Sequence, residues 1–235
     1  MTRRVTTVGF DADDTLWQNQ THFDAAEERF VAALERHAPA DLVATRLHAA
    51  ERRNLPLYGF GVKGFILSMI ETAVEILGER TPHALVAELL ATGRSMLDHP
   101  VELLPHAREA VEALRGAGGV RLLLVTKGDL FHQERKLEAS GLADLFDGVE
   151  IVSDKTARTY ARIFTAHGDG AERALMVGNS LKSDVLPALE AGAFAVHVPH
   201  ERLWAFEAAE EPTGHARFRL IPDLGHLPGI LAEIG

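Results

Sequence analysis

A short apolar run at residues 5–10 ends in Asp11-Ala12-Asp13-Asp14-Thr15-Leu16, three carboxylates within four residues. Like charges that close repel one another unless a cation sits among them or one carboxyl keeps its proton. The run itself reads as a buried strand, with β-branched residues, an apolar end and a turn directly after it. A fold has little structural reason to gather such a cluster at a strand end. The stretch therefore predicts a Mg²⁺ site with a nucleophilic carboxylate. The competing reading is a polar turn that caps the next element.

The rest of the chain bounds what can surround that turn. Its 235 residues allow one large domain or a domain with a substantial insertion. Hydrophobic residues at 46% and charged residues at 25% match a globular chain with a full core. With 24 basic against 34 acidic residues the net charge is −10, which argues against nucleic acid or an anionic membrane as partner. A small phosphorylated molecule stays compatible, because a local cation reverses the field inside one pocket. The absence of cysteine excludes disulfides, thiolate metal sites and cysteine nucleophiles, and fits a cytoplasmic location. Residues 1–4 carry two arginines, but no apolar stretch of signal length follows before Asp11, and no membrane span is predicted.

From residue 21 to about 97 the pattern is helical. Phe23, Phe30, Val31 and Leu34 recur at helical spacing, with Glu27, Glu28, Arg29 and Glu35 on the other side. Pro39 ends that helix, Asp41 caps a second one to about residue 53, and Pro56 breaks it. Residues 57–65 hold three glycines and three aromatics and predict a shaped loop. A helix over 65–77 follows, then another to about residue 97 with Thr81 as cap and Pro82 at its first position. No strand pattern interrupts this segment, so residues 18–98 read as an inserted all-helical domain.

After Asp98-His99-Pro100 the pattern alternates. Helices are predicted at 105–115, 130–140, 155–167, 184–191 and 227–234. Strands are predicted at 120–125, 148–152, 174–177 and 194–198, with an edge strand at 217–221. Such alternation means a parallel sheet covered on both faces, an α/β core made of residues 1–17 and 99–235. Residues 207–214 read as a mobile surface loop.

Ligands on such sheets bind at the carboxyl ends of the strands, and the polar residues fall there. Asp11 can attack phosphorus and form an aspartyl-phosphate, and Asp13 can protonate the leaving oxygen and later deprotonate water. The Asp11 carboxylate, the Asp13 carbonyl and the Asp184 carboxylate can serve Mg²⁺. Thr126 offers a hydroxyl to a phosphoryl oxygen, as do the amides of Lys127 and Gly128 near a helix start. The Lys155 ammonium can keep Asp11 ionised and balance charge on the transferring group.

On these residues the chain resembles the haloacid dehalogenase-like hydrolase superfamily. The carriers are the Asp11 to Leu16 motif, Leu123-Leu-Val-Thr126-Lys-Gly, Lys155 in Val152-Ser-Asp-Lys, and Gly178-Asn-Ser-Leu-Lys-Ser-Asp184. The resemblance implies a Rossmann-like core, Mg²⁺, an aspartyl nucleophile and a mobile cap, with residues 18–98 similar to the helical C1-type cap. The family's dehalogenases lack an acid/base aspartate two residues after the nucleophile, and this chain has Asp13 there. The resemblance thus implies a phosphatase acting on a small phosphorylated metabolite. A phosphomutase shares the motifs. A phosphonate-cleaving branch uses a cap lysine, and Lys63 is the only lysine in 18–98. Many relatives carry aspartate where this chain has Asn179, which still offers an oxygen to metal or metal-bound water but removes a charge. A non-catalytic binding protein is the reading from another class, and Asn179 is the one feature that leans towards it.

The remaining candidates are weighed against plain structure. Lys63, with Tyr58 or Phe60 packing beside it, can select an anionic substrate, or the aromatics can belong to the helical core. Trp17 and Gln18 line an entrance or pack at a domain boundary. His197 and His200 lack a third ligand in sequence and do not predict a metal site. Asp14 and Asp154 brace turns.

Overall fold

The computed structural model describes residues 4–202 and 204–234. Residues 1–3, on which part of the no-signal expectation rests, lie outside them. In chain order the elements are β1 (Thr7–Phe10), α1 (Gln20–Leu34), α2 (Ala40–Tyr58), α3 (Val62–Leu77), α4 (His83–Leu97), α5 (Ala107–Ala117), β2 (Arg121–Lys127) and α6 (Leu130–Ser140). They continue as β3 (Gly148–Val152), α7 (Ala157–His167), β4 (Ala174–Gly178), α8 (Leu186–Glu190), β5 (Phe194–His197), β6 (Phe218–Leu220) and α9 (Leu227–Ile234). Two compact units result. One holds residues up to Gln20, Val101–Lys127 and Gln133 onward, and the other holds Thr21–Pro100 with Gly128–His132.

The first unit is a six-stranded parallel sheet in the order β3-β2-β1-β4-β5-β6. Alternate residues of each strand feed two apolar layers, as the period-2 geometry of a strand requires. Val8, Phe10, Leu122, Leu124, Leu175 and Val177 pack with Val111 and Leu114 of α5 and Leu231 of α9. Leu123, Val125 and Met176 pack on the other face with Tyr160, Ile163 and Phe164 of α7. The strands, buried on both faces, read as continuous apolar runs for that reason. The sheet order reverses at β1, so the crevice outside the carboxyl ends of β1 and its neighbours is the natural ligand site. No described helix is long and apolar enough to cross a membrane.

The second unit is helical. Phe30, Leu34, Val43, Leu47, Phe65, Ile66, Met69 and Leu89 make its core. Several local expectations are corrected here. Pro56 does not break α2, which runs on to Tyr58. A proline in the last turn removes a single backbone bond, and that bond's acceptor would have been the carbonyl of exposed Arg52. The shaped loop shrinks to Gly59, Phe60 and Gly61, because α3 already starts at Val62. Gly59 and Gly61 take φ of 73° and 115°, a backbone that side chains rarely adopt, and this is what turns the chain so sharply. Asp41 lies inside the first turn of α2 and Pro39 takes the cap position. Thr81 does not cap α4 either: its hydroxyl donates to the Gly78 carbonyl at 2.7 Å, and Pro82 precedes the helix.

Polar groups buried in this unit are largely tied together. Asn54 donates to Ser68 Oγ at 3.1 Å and to Glu71 Oε2 at 2.7 Å, and Ser68 donates to the Gly64 carbonyl at 2.9 Å. Glu51 is different in kind, since burial and then the charge of Glu27 push its carboxyl up to about 7. A folded-state value above the ordinary 4.5 favours the native state at low pH, and that contribution is lost as pH rises through about 7. Glu51→Gln should therefore melt near the wild type below pH 4.5 and be more stable at pH 8, by up to about 3 kcal/mol. Thermal melts of both proteins across that pH range check this, and an equal difference at both ends would contradict it.

Candidate active site

The strand register brings the site together. Phe10 pairs with Leu124 of β2 and Val177 of β4, so Asp11, Val125 and Gly178 stand one step further along at the same sheet edge. The Asp11 amide donates to the Val177 carbonyl at 2.8 Å and carries the ladder to that edge. Asp14 has φ 60° and accepts from the Asn19 and Gln20 amides, each at 2.9 Å, so it braces the turn and caps α1. An aspartate tolerates that backbone better than most residues.

Lys155 is the centre of the cluster. Its ammonium, 2% exposed in its side chain, donates to Asp11 Oδ1 and to Asp184 Oδ1, the latter at 2.7 Å. Thr15 Oγ1 donates to Asp11 Oδ2 at 2.9 Å and accepts from the Asn179 amide at 3.0 Å. The Ser180 amide donates to Asp184 Oδ2 at 3.0 Å. Both carboxylates are thus held at both oxygens. Burial first, then Asp184, push Asp11 up to about 7, against the pull of Lys155. Burial works to lower Lys155, but the two carboxylates outweigh it and raise its value.

Asp184 was expected to start a helix. It lies instead in a wide turn of π type, Leu181–Val185, and α8 begins only at Leu186. Ser180 caps that turn by accepting from the Ser183 amide at 3.0 Å. The wider turn brings Asp184 back over Gly178. A Cβ on Gly178 would lie 2.3 Å from Asp184 Cγ, so only glycine fits there.

Asp13 stands apart from Lys155 on its own set of donors. Trp17 Nε1 and Lys136 Nζ reach Oδ1 at 2.7 and 2.5 Å, and Gln133 Nε2 reaches Oδ2 at 3.1 Å. Burial would raise this carboxyl, but Lys136 above all, with Trp17 and Gln133, holds it below the usual range. Gln133 Nε2 also reaches Thr126 Oγ1 at 2.7 Å. Trp17 is fully buried, so it packs rather than lining an open entrance.

Lys127 directs its ammonium to Ser183 Oγ and Glu207 Oε1, both at 2.7 Å. Glu207 also accepts from Ser180 Oγ at 2.5 Å and from Ser183 Oγ. The sequence placed Glu207 in a mobile loop, whereas these bonds anchor it. Burial opposes its charge, and Lys127 with the Ser180 and Ser183 hydroxyls together outweigh burial and lower its value. Gly128 and Lys63 fall in the helical unit, where Lys63 pairs with Asp129 at 2.8 Å. Tyr58 ends α2 in that unit and is 54% exposed. His197 meets the Asn179 carbonyl at 2.9 Å and His200 meets Gln18 at 3.2 Å. Gln133, Lys136, Tyr160 and Glu207 went unseen in the sequence. Nothing in the sequence marks Gln133 and Lys136 beyond their spacing of three on one helix.

The donor set fits a hard divalent cation of the Mg²⁺ kind. Asp11 and Asp184 would supply carboxylate oxygens, Asn179 an amide oxygen and Asp13 a main-chain carbonyl. Among the described residues no three His, Asp or Glu side chains gather as a metal-holding group. Mg²⁺ suits such a site, since it commonly takes one or two carboxylates and keeps several waters. Asp11 and Asp184 share the single ammonium of Lys155, so a cation would balance the second carboxylate.

If the Gly178 approach is this tight, Gly178→Ala should force Asp184 aside and cost about 1–3 kcal/mol. Gly116→Ala on α5, where a Cβ meets open space, should be neutral or slightly stabilising. Melting temperatures of the two variants check the contrast, and similar values for both would contradict it.

Comparison with known proteins agrees with this geometry. The haloacid dehalogenase-like hydrolase family model matches residues 5–192. A haloacid dehalogenase-like family hydrolase from Xanthomonas campestris is 40% identical, with a TM-score of 0.87 over 98% of this chain and 92% of that one. The HAD-hydrolase YfnB from Bacillus subtilis, in a magnesium-bound crystal form, is 18% identical with a TM-score of 0.66 over 97% and 99%. The L-2-haloacid dehalogenase from Xanthobacter autotrophicus is 19% identical with a TM-score of 0.66 over 98% and 100%. No curated protein matches the chain. On the family match and the 40% relative together, the chain belongs to the haloacid dehalogenase-like hydrolase family.

Proposed function

We propose that the protein is a Mg²⁺-dependent phosphatase acting on a small phosphorylated metabolite through an aspartyl-phosphate on Asp11. The observation that carries this reading is the pairing of Asp11 with Lys155 beside a second carboxyl, Asp13, that is separately held. In the first step an Asp11 oxygen attacks phosphorus, the bond from phosphorus to the ester oxygen breaks, and Asp13 gives that oxygen its proton. In the second step water attacks phosphorus and loses a proton to Asp13. The bond to Asp11 then breaks and phosphate leaves. Lys155 balances charge on the transferring group, while Thr126 and the amides of Lys127 and Gly128 receive its oxygens. Bound Mg²⁺, held by Asp11, Asp13, Asp184 and Asn179, would add positive charge against the phosphoryl oxygens.

Asp13 also separates this reading from dehalogenation, in which no leaving alcohol needs a proton. In this reading the helical unit serves as a cap, and Tyr58 and Lys63 belong to its choice of substrate. A Schiff-base role for Lys63 is disfavoured, because its side-chain nitrogen is already engaged by Asp129 at 2.8 Å. The acidic balance of the chain favours small substrates over nucleic acid or membranes.

Phosphate release from a panel of phosphorylated metabolites tests the proposal, with Mg²⁺ and with chelator, alongside halide release from a 2-haloacid. Phosphate release that needs Mg²⁺ and falls at least about 10³-fold in Asp11→Asn is expected, with no halide release. Lys63→Ala should reorder rates across the panel. Halide release, or full activity in Asp11→Asn, would contradict the reading.

A further inference from the structure

The buried face of α6 consists of Gln133, Leu137 and Ser140. Gln133 occupies a position where helical periodicity calls for an apolar residue, and it is 2% exposed. Its Nε2 is shared among Asp13 Oδ2, Thr126 Oγ1 and the Lys127 carbonyl, at 3.1, 2.7 and 2.8 Å. Its Oε1 is buried with no partner. Leaving an acceptor unpaired in this way works against folding. Folding alone would be served as well by methionine or leucine. One helical turn on, Lys136 is 11% exposed in its side chain and sets its ammonium 2.5 Å from Asp13 Oδ1 and 3.3 Å from Asn19 Oδ1. Residues three apart lie on one helix face, so α6 grips the two oxygens of Asp13 from one side.

We infer that Gln133 and Lys136 are positioning residues that hold the Asp13 carboxylate as the base for the attacking water. The inference rests on the phosphatase reading and deepens it. A carboxylate with both oxygens fixed is aimed at one place, and a proton acceptor aimed at the attacking water is what the second step needs. These two residues therefore govern how fast the aspartyl-phosphate breaks down more than how fast it forms. With p-nitrophenyl phosphate, whose leaving group departs without a proton, the first step bypasses Asp13 and the two steps separate.

The test is rapid-mixing kinetics of p-nitrophenyl phosphate with Mg²⁺, on wild type, Gln133→Met and Lys136→Met. Methionine keeps the volume and removes the donors, and the two variants release opposite oxygens of Asp13, so either one that folds decides the matter. Melting temperature reports folding for each. The expected result is a kcat lower by about 10²-fold with a burst of p-nitrophenolate approaching about one equivalent per site, absent in the wild type. A fall in kcat without a burst, or an unchanged kcat, in variants that melt like the wild type overturns the inference while the phosphatase reading stands. A wild type that releases no phosphate while Asp11→Asn behaves identically overturns both.

Discussion

One ammonium, that of Lys155, holds together the ends of two strands. It bridges Asp11 after β1 and Asp184 after β4, in a place where all three side chains are nearly withdrawn from the surface. Breaking a buried ion pair by removing one partner typically costs about 3–5 kcal/mol, because the surviving charge stays behind unpaired. Such an arrangement is tolerated where further hydrogen bonds reach the carboxylate oxygens that the ammonium does not. Thr15 and the Ser180 amide supply them here. The cluster then has a rigid frame with two carboxylates on one ammonium, a charge balance that favours a cation.

The sheet makes the cluster possible by register rather than by proximity in sequence. Asp11 and Asp184 are joined across β1 and β4 by a ladder that ends at the same level on both strands. The wide turn at Leu181–Val185 then folds Asp184 back over a glycine that leaves room for it. A second layer fixes the loops around the first. Glu207 gathers Lys127, Ser180 and Ser183 into one anchor, and Tyr160 donates its hydroxyl to the Ser183 carbonyl at 3.0 Å from below. Burial, and Asp184 beside it, raise the Tyr160 hydroxyl well above its ordinary value, so it stays a donor. Asp13 is left outside this frame on its own donors, free of the pair that binds Asp11.

The sequence made most of this frame legible. Apolar runs followed by polar turns located the strands, and the residues at their ends named the cluster before any contact was known. Asp11, Lys155 and Asp184 could be read because chemistry demands those types and strand ends place them. Gln133 and Lys136 could not, because a polar residue on a helix reads as solvent-facing until the fold shows which face is buried. Glu207 reads as loop for a similar reason, since an acidic stretch gives no sign of the lysine 80 residues away that will bind it. Pro56 misleads in the other direction: a strong local breaker loses its force in the last turn of a helix. Asn179 stood out as a departure from relatives. In the fold its backbone amide donates to Thr15 Oγ1 at 3.0 Å and its side-chain Oδ1 accepts from the same hydroxyl at 3.3 Å, so it ties Thr15 to the turn after β4.

The central claim is covalent: an oxygen of Asp11 takes the phosphoryl group. Acid-quenching the enzyme during turnover of p-nitrophenyl phosphate with Mg²⁺, then reducing with borohydride, converts an aspartyl-phosphate to homoserine. Peptide mass spectrometry should find homoserine at position 11 and at no other aspartate. Turnover that leaves Asp11 intact in every quenched sample, or homoserine at Asp13 or Asp184 instead, would contradict the account.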